Sequence, residues 1–178
     1  MNKSDIKILL VDDEPDILEI VGYNLKNEGY QIFTAKNGQE AIKSAKKNIP
    51  HLILLDIMMP EVSGFDILER MKQDESLSHI PVITLTAATD RETKLKVLEL
   101  GTHDFLEKPV DPSELAPRVR NTLLMKMYQD RLANHANELE GLVKARTLEL
   151  EISREEVIHC LAKAAEFRDD DTGNHIIR

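Results

Sequence analysis

Five short apolar segments, separated by stretches with helical spacing, constrain this chain's fold more than any other feature. Several of them have no polar face, which is typical of strands covered on both sides in a parallel sheet. Strands that alternate with amphipathic helices predict an α/β domain with helices on both faces of the sheet. The five segments are Ile6–Val11, Tyr30–Ala35, His51–Asp56, Pro81–Thr86 and Asp104–Glu107.

Turn and capping residues mark the helices expected between these segments. Pro15 suits the first turn of a helix that Asp13 could cap and Gly29 could end. Ser63 predicts the N-cap of a helix that reaches about Lys72. The other predicted helices are Gly38–Lys47, one from the capping-box spacing Thr89-Asp-Arg-Glu92 to Gly101, and one that begins at Asp111-Pro-Ser-Glu114.

Proline is absent from the C-terminal third of the chain, since the last of the seven is Pro117. Beyond it, apolar residues recur at roughly seven-residue spacing as far as Ala164, which predicts one long helix with an apolar stripe. The register slips near Gly141, and Arg146 and Arg154 occupy stripe positions. We expect Pro117 itself to bend or loosen the second turn of this helix.

Such a helix has no core of its own, so its stripe is expected to pack against a partner. A straight helix from Pro112 to Phe167 would be roughly 84 Å long, at ~1.5 Å per residue. Our hypothesis is a parallel coiled-coil homodimer continuous with the last helix of the α/β domain. The alternatives are a helix that folds back onto that domain and one that frays.

Composition narrows the possible classes of function. The formal net charge of -9 argues against a general nucleic-acid binder, which needs a basic face. The single cysteine, Cys160, excludes an internal disulfide and fits a reducing compartment such as the cytoplasm. No apolar run approaches the ~20 residues of a membrane span, and the first residues do not resemble a signal peptide.

Charged and hydroxyl side chains follow four of the predicted strands at the point where each strand ends. Because the carboxyl ends of parallel strands meet at one edge of the sheet, we expect these side chains to converge. Clustered carboxylates repel one another unless a cation compensates them, and Mg²⁺ suits carboxylates together with phosphate oxygens. A carboxylate can also act as a nucleophile, so this edge is suited to phosphoryl transfer. The residues are Asp12, Asp13, Asp56, Thr86 and Lys108.

Four motifs in order resemble those of the receiver domain of two-component response regulators. They are Asp12-Asp13, the run Asp56-Ile57-Met58-Met59-Pro60 with Gly64, Thr86-Ala87, and Lys108-Pro109. The resemblance extends from about Ile6 to Leu124. It implies a flavodoxin-like, doubly wound, five-stranded parallel sheet, and phosphorylation of the protein by a sensor histidine kinase.

The same resemblance implies a role for each site residue. Asp56 would be the phosphoacceptor, and Thr86 and Lys108 would contact the phosphoryl group. Thr86 and Phe105 would switch conformation together, and the Lys108–Pro109 bond would be cis. The implied Mg²⁺ ligands are Asp12, Asp13, Asp56 and the backbone carbonyl of Met58, and the positions implied to tune phosphoryl hydrolysis are Met58 and Ala88.

The segment Leu161–Arg178 resembles the opening of HD-GYP domains, whose members hydrolyse cyclic di-GMP. This resemblance implies Asp171 and His175 as metal ligands four residues apart, although Asp stands where Glu is common. We expect no His-Asp dyad and no Gly-Tyr-Pro triplet anywhere in this chain, so a second ligand set is not predicted. We therefore expect both residues to be vestigial and solvated.

These observations predict a receiver domain over residues 1–124, a coiled-coil linker helix over 125–167 and the truncated start of an HD-GYP-like output domain over 168–178. The predicted protein accepts a phosphoryl group on Asp56 with Mg²⁺ and signals through a dimeric helix to an output domain. No enzymatic activity beyond its own phosphoryl transfer and hydrolysis is expected.

Three other functions compete with this prediction. The first is a regulatory fragment of a cyclic di-GMP phosphodiesterase that is inactive in this form. A transcription factor is disfavoured, because the acidic-leaning helix lacks a helix-turn-helix and so predicts no direct DNA binding. An adaptor that never accepts phosphate is disfavoured by the complete acidic constellation.

Overall fold

The computed structural model describes residues 2–60, 62–86, 96 and 99–173, with side chains as far as residue 164. Its strands form one five-stranded parallel sheet in the order β2-β1-β3-β4-β5. The predicted flavodoxin-like, doubly wound sheet is therefore confirmed. The strands are β1 (Lys7–Val11), β2 (Gln31–Ala35), β3 (Leu52–Asp56), β4 (Val82–Thr86) and β5 (Asp104–Glu107).

Helices connect these strands, and each predicted helix within the described residues is present. The predicted helix that begins at Thr89 lies largely outside the described residues, although residues 96 and 99 are helical. A short 3₁₀ turn, Lys3–Asp5, precedes β1. The helices are α1 (Pro15–Asn27), α2 (Gly38–Asn48), α3 (Gly64–Gln73) and the long helix α4 (Pro112–Gly173).

Two hydrophobic layers bury both faces of the sheet, which explains why its strands have no polar face. Alternate residues of a strand point to opposite faces. One layer joins Leu9, Val11, Ile53 and Leu55 to Ala41 and Ala45 of α2 and Ile67 and Met71 of α3. The other joins Ile8, Leu10, Leu54 and Leu85 to Leu18, Val21 and Leu25 of α1 and Leu115, Val119 and Leu123 of α4.

Among the predicted N-caps, Ser63 of α3 is confirmed and Asp13 of α1 is wrong. The Ser63 hydroxyl caps α3 by accepting the Phe65 N–H at 3.2 Å, as expected. Asp13 does not cap α1, because Glu14 occupies the N-cap position and makes no side-chain capping bond. The Glu14 N–H instead donates to Asp12 Oδ1 at 3.0 Å. The acid that supports this turn is therefore Asp12.

The chain divides into two compact units, one ending at Tyr128 and one beginning at Gln129. Every described side chain of the second unit is exposed, including Leu132 and Leu150 at 70% each. Pro117 lies inside α4, and its effect on the helix stays a prediction. Among the described residues, no helix is both long enough and apolar enough to cross a membrane.

Gly64 tests how tightly α3 is held against the end of β3. An alanine Cβ at this position would overlap the Asp56 carbonyl oxygen and lie 2.7 Å from Ile57 Cα, so the backbone would have to shift. We expect Gly64→Ala to lower the free energy of unfolding by about 1–3 kcal/mol in urea denaturation followed by circular dichroism. Gly22→Ala is the matched control, because its nearest neighbour would be Ile32 Cγ2 at 3.8 Å. Equal stability of Gly64→Ala and Gly22→Ala would contradict this packing.

Candidate functional site

The carboxyl ends of two neighbouring strands bring the three predicted acids together. Asp12 follows β1 directly, and Asp56 is the last residue of β3, which pairs with β1. One carboxylate oxygen from each of Asp12, Asp13 and Asp56 lies within 4.8 Å of the others. Asp12 and Asp56 are buried and Asp13 is half-buried. The cluster lies where the strand order reverses, the usual position of ligands in this architecture.

Lys108 completes the cluster from the end of β5. Its backbone N–H donates to the Thr86 carbonyl at 2.9 Å, and the Lys108–Pro109 peptide bond is cis. The ammonium nitrogen lies 2.7 Å from Asp56 Oδ2 and 2.8 Å from Asp12 Oδ2. The side chain is only 11% exposed, so these ion pairs are shielded from water. The structure thus brings Lys108 to the acids, as the sequence predicted.

Lys108 balances only part of the negative charge of the three carboxylates. Burial raises the pKa of Asp12, although Lys108 and the Glu14 N–H act in the opposite direction. Burial alone would lower the pKa of Lys108, but its bonds to Asp12 and Asp56 outweigh burial and the pKa is raised. Lys108 therefore remains an ammonium, which can pair with anions and cannot ligate a metal.

The donor set fits a hard divalent cation. Asp12 Oδ2 is buried and lies 2.8 Å from Lys108 Nζ, with which it forms an ion pair. Within the described residues, however, no donor is oriented to form a hydrogen bond with this oxygen. A buried carboxylate oxygen without a hydrogen bond is costly. Three carboxylates also leave net negative charge beside one ammonium. Oxygen ligands with excess negative charge suit Mg²⁺ or Ca²⁺.

Of the remaining predicted residues, Thr86, Met58 and Phe105 lie around this cluster. Thr86 is fully buried at the end of β4. Met58 is exposed, and its N–H donates to Asp56 Oδ1 at 3.0 Å. Phe105 is half-buried in β5 and lines a cavity of about 510 Å³ beside Lys108 and Arg118. Ala88 lies outside the described residues.

The predicted HD-GYP ligands cannot be placed as a site. Asp171 lies on α4, but its side chain is outside the described residues, and so is the whole of His175. The sequence does contain one His-Asp dipeptide, His103-Asp104, before Leu161. Asp104 pairs there with Arg118, whose Nη1 lies 2.8 Å and 2.9 Å from its two carboxylate oxygens. That dipeptide therefore connects β5 to α4.

Sequence reasoning missed Glu14, whose Oε1 lies 3.3 Å from Lys108 Nζ. Its side chain is 61% exposed, so Glu14 forms the outer rim of the cluster. The available signal was its position immediately after Asp12-Asp13, at the carboxyl end of a predicted strand. That position also suits a helix start, so the local pattern does not distinguish the two roles.

Sequence comparison with known proteins is consistent with the fold and the acidic cluster described above. The family model of the response regulator receiver domain matches residues 8–120. "Probable cyclic di-GMP phosphodiesterase" of Vibrio cholerae is 38% identical over 175 residues, which cover 98% of this chain and 40% of that protein. "Response regulator SaeR" of Staphylococcus epidermidis is 44% identical over 135 residues, or 76% of this chain and 56% of that protein. The chain thus spans 40% and 56% of the lengths of these two relatives.

Solved structures give the same assignment. The chemotaxis response regulator CheY4 of Vibrio cholerae superposes with a TM-score of 0.62 at 30% identity, covering 66% of this chain and 98% of that structure. The signal receiver domain of the LuxO repressor protein of Vibrio parahaemolyticus gives 0.67 at 30% identity, covering 71% and 96%. Family match, sheet order and acidic cluster together lead to one conclusion: the chain belongs to the response regulator receiver family of two-component systems.

Proposed function

We propose that Asp56 accepts a phosphoryl group from a sensor histidine kinase. The observation that carries the proposal is one arrangement: three carboxylates within 4.8 Å of one another, with Lys108 Nζ 2.7 Å from Asp56 Oδ2. A carboxylate is a competent nucleophile for phosphorus, and a fixed ammonium beside it offsets the charge of the incoming group.

Mg²⁺ is the cation proposed for this site. Asp12, Asp13, Asp56 and the backbone carbonyl of Met58 would hold it, and the buried Asp12 Oδ2 without a hydrogen bond supports this assignment. When bound, Mg²⁺ supplies positive charge to the oxygens of the transferring phosphoryl group.

The proposed transfer makes one bond and breaks one. An Asp56 carboxylate oxygen bonds to phosphorus while the bond from phosphorus to the kinase histidine nitrogen breaks, and that electron pair stays on the nitrogen. Lys108, held as an ammonium by its raised pKa, pairs with a phosphoryl oxygen. The Thr86 hydroxyl donates to another phosphoryl oxygen. We propose no enzymatic activity for this chain beyond this transfer and the hydrolysis of its product.

The signal is proposed to leave the site through β5. Lys108, which follows β5 directly, contacts the acids, and the half-buried Phe105 lies three residues earlier, within β5. Asp104 of β5 is joined to Arg118 of α4 by a two-oxygen ion pair. A coupled movement of Thr86 and Phe105 would therefore be felt by the first turns of the long helix.

We also propose that the second unit forms a parallel coiled-coil homodimer. Its described apolar side chains are exposed, with Leu139 at 61%, Leu150 at 70% and Val157 at 55%. An isolated helix with an exposed apolar stripe gains little stability from its own sequence. A second copy of the same stripe would bury these side chains at the seven-residue spacing of a coiled coil.

The output proposed for this signalling is a cyclic di-GMP phosphodiesterase unit in a longer polypeptide. The observation that favours it is the alignment with the Vibrio cholerae relative, which extends beyond the receiver over 98% of this chain. Residues 1–178 are not expected to hydrolyse cyclic di-GMP themselves. The group of acids at Asp12, Asp13 and Asp56 is the single candidate metal cluster among the described residues.

Replacing the phosphoacceptor tests the central proposal. With acetyl phosphate and Mg²⁺, the parent is expected to gain one phosphoryl group by intact-mass spectrometry, whereas Asp56→Asn should stay at background because its amide is not a nucleophile. Chelation of Mg²⁺ should also abolish labelling. Asp74→Asn is the matched control, since Asp74 pairs with Lys46 through Oδ2 at 2.7 Å, outside the cluster. Equal labelling of Asp56→Asn and the parent would refute the proposal.

Removing the ammonium tests the charge balance of the cluster. Lys108→Met leaves three carboxylates uncompensated, and we expect the metal-free protein to lose about 3–5 kcal/mol of stability. Mg²⁺ should then raise the melting temperature of the variant more than that of the parent, because it meets a more negative site. Lys46→Met, which breaks only the Asp74 pair, should keep the parental response to Mg²⁺. If Mg²⁺ shifts the melting temperature of neither the parent nor Lys108→Met, the cluster does not bind the cation.

Sedimentation equilibrium tests the coiled coil. The parent is expected to be a dimer, and Leu150→Asp should shift it toward monomer because a carboxylate would enter the seam. Leu148→Asp is the matched control, since Leu148 is similarly exposed but lies off the stripe. A parent that stays monomeric at high concentration would rule out the dimer.

A further inference from the structure

Three carboxylate oxygens surround the Lys108 ammonium, and the third belongs to Glu14. The distances from Nζ are 2.7 Å to Asp56 Oδ2, 2.8 Å to Asp12 Oδ2 and 3.3 Å to Glu14 Oε1. Nζ donates hydrogen bonds to Asp56 Oδ2 and Glu14 Oε1 and forms an ion pair with Asp12 Oδ2. A phosphoryl oxygen that pairs with Lys108 therefore competes with these carboxylates for the ammonium.

Glu14 is the neighbour that is released most easily. Its contact is the longest, and its side chain is 61% exposed, whereas those of Asp12 and Asp56 are 0% and 2% exposed. An exposed carboxylate regains its hydration on release, but a buried one does not. The Lys108–Glu14 contact is therefore the one that an incoming phosphoryl group replaces.

A backbone hydrogen bond holds Glu14 beside the acids. Its N–H donates to Asp12 Oδ1 at 3.0 Å, which holds the residue at the N-cap of α1 beside the acids. When its side chain leaves Lys108, the negative charge remains near the path of the phosphodonor. A donor with more negative charge meets more repulsion there than a donor with less.

We propose that Glu14 is a positioning residue that holds Lys108 before phosphorylation and discriminates among phosphodonors by their charge. This inference rests on the proposed phosphorylation of Asp56. Glu14 accepts no phosphoryl group in this proposal, and it acts through Lys108 and through its own charge. The donors it disfavours are those with the higher net negative charge.

Two small donors that differ in charge test the inference. Acetyl phosphate is a dianion near neutral pH, whereas the protonated nitrogen of phosphoramidate makes its net charge less negative. In Glu14→Gln with Mg²⁺, the ratio of the acetyl phosphate rate to the phosphoramidate rate should rise about threefold, the effect of one charge about 6 Å away in water. The affinity for beryllofluoride, an anionic phosphoryl analogue, should increase by about the same factor in calorimetry.

Control variants separate this role from general charge and folding effects. Glu19→Gln removes an exposed carboxylate from the same helix and should keep the parental donor ratio. Glu14→Asp retains the charge and should also keep that ratio. The metal-free melting temperature of Glu14→Gln should match that of the parent, because exposed ion pairs contribute little stability.

The outcomes distinguish this inference from the proposed function. If the parent is not labelled by either donor, the proposed phosphorylation fails. If the parent is labelled but Glu14→Gln keeps the parental ratio and beryllofluoride affinity, only the role of Glu14 is refuted. A rise of the ratio in Glu19→Gln equal to that in Glu14→Gln would also refute it, because the effect would then come from net charge alone.

Discussion

The receiver site depends on one constraint, the repulsion among the carboxylates of Asp12, Asp13 and Asp56, which lie within 4.8 Å of one another. The sheet holds the acids this close together, because β1 and β3 pair directly and helices bury both strands on either face. The acids cannot move apart without breaking that pairing. Lys108 compensates part of the charge, and the raised pKa of Asp12 reflects burial that remains uncompensated. The fold thus holds an unbalanced negative charge at the carboxyl edge of the sheet, the usual position of ligands in this architecture.

One strand links this charge to the long helix. β5 begins with Asp104, which is paired with Arg118 of α4, and it is followed directly by Lys108, which contacts Asp12 and Asp56. The site and the base of the helix are therefore attached to the same four-residue element. Any event that changes the contacts of Lys108 acts on a strand that is bonded at both ends. Under the proposed function, a signal from the acids would follow this short connection to α4.

Much of the fold and most of the site could be predicted, because their signals are local. The strands were recognisable as apolar runs, and Asp56 and Lys108 were recognisable because they follow such runs. The error at Asp13 arose because several acids near a helix start can satisfy the same N–H, and backbone geometry selected Asp12. Glu14 was missed because its partner, Lys108, is 94 residues away in the chain. Its position after Asp12-Asp13 is a local signal, but no local pattern identifies Lys108 as its partner.

The sequence by itself determined the alternation of strands and helices, the acids at the strand ends and the uninterrupted helix after Pro117. Burial periodicity, capping residues and the absence of proline act over a few neighbouring residues, so they can be recognised in one dimension. Only the tertiary structure decided that Lys108 pairs with Asp12, Asp56 and the exposed Glu14. It also decided that Asp12 Oδ2 has no hydrogen bond within the described residues. These facts depend on the parallel pairing of strands distant in sequence, which brings their carboxyl ends to one edge.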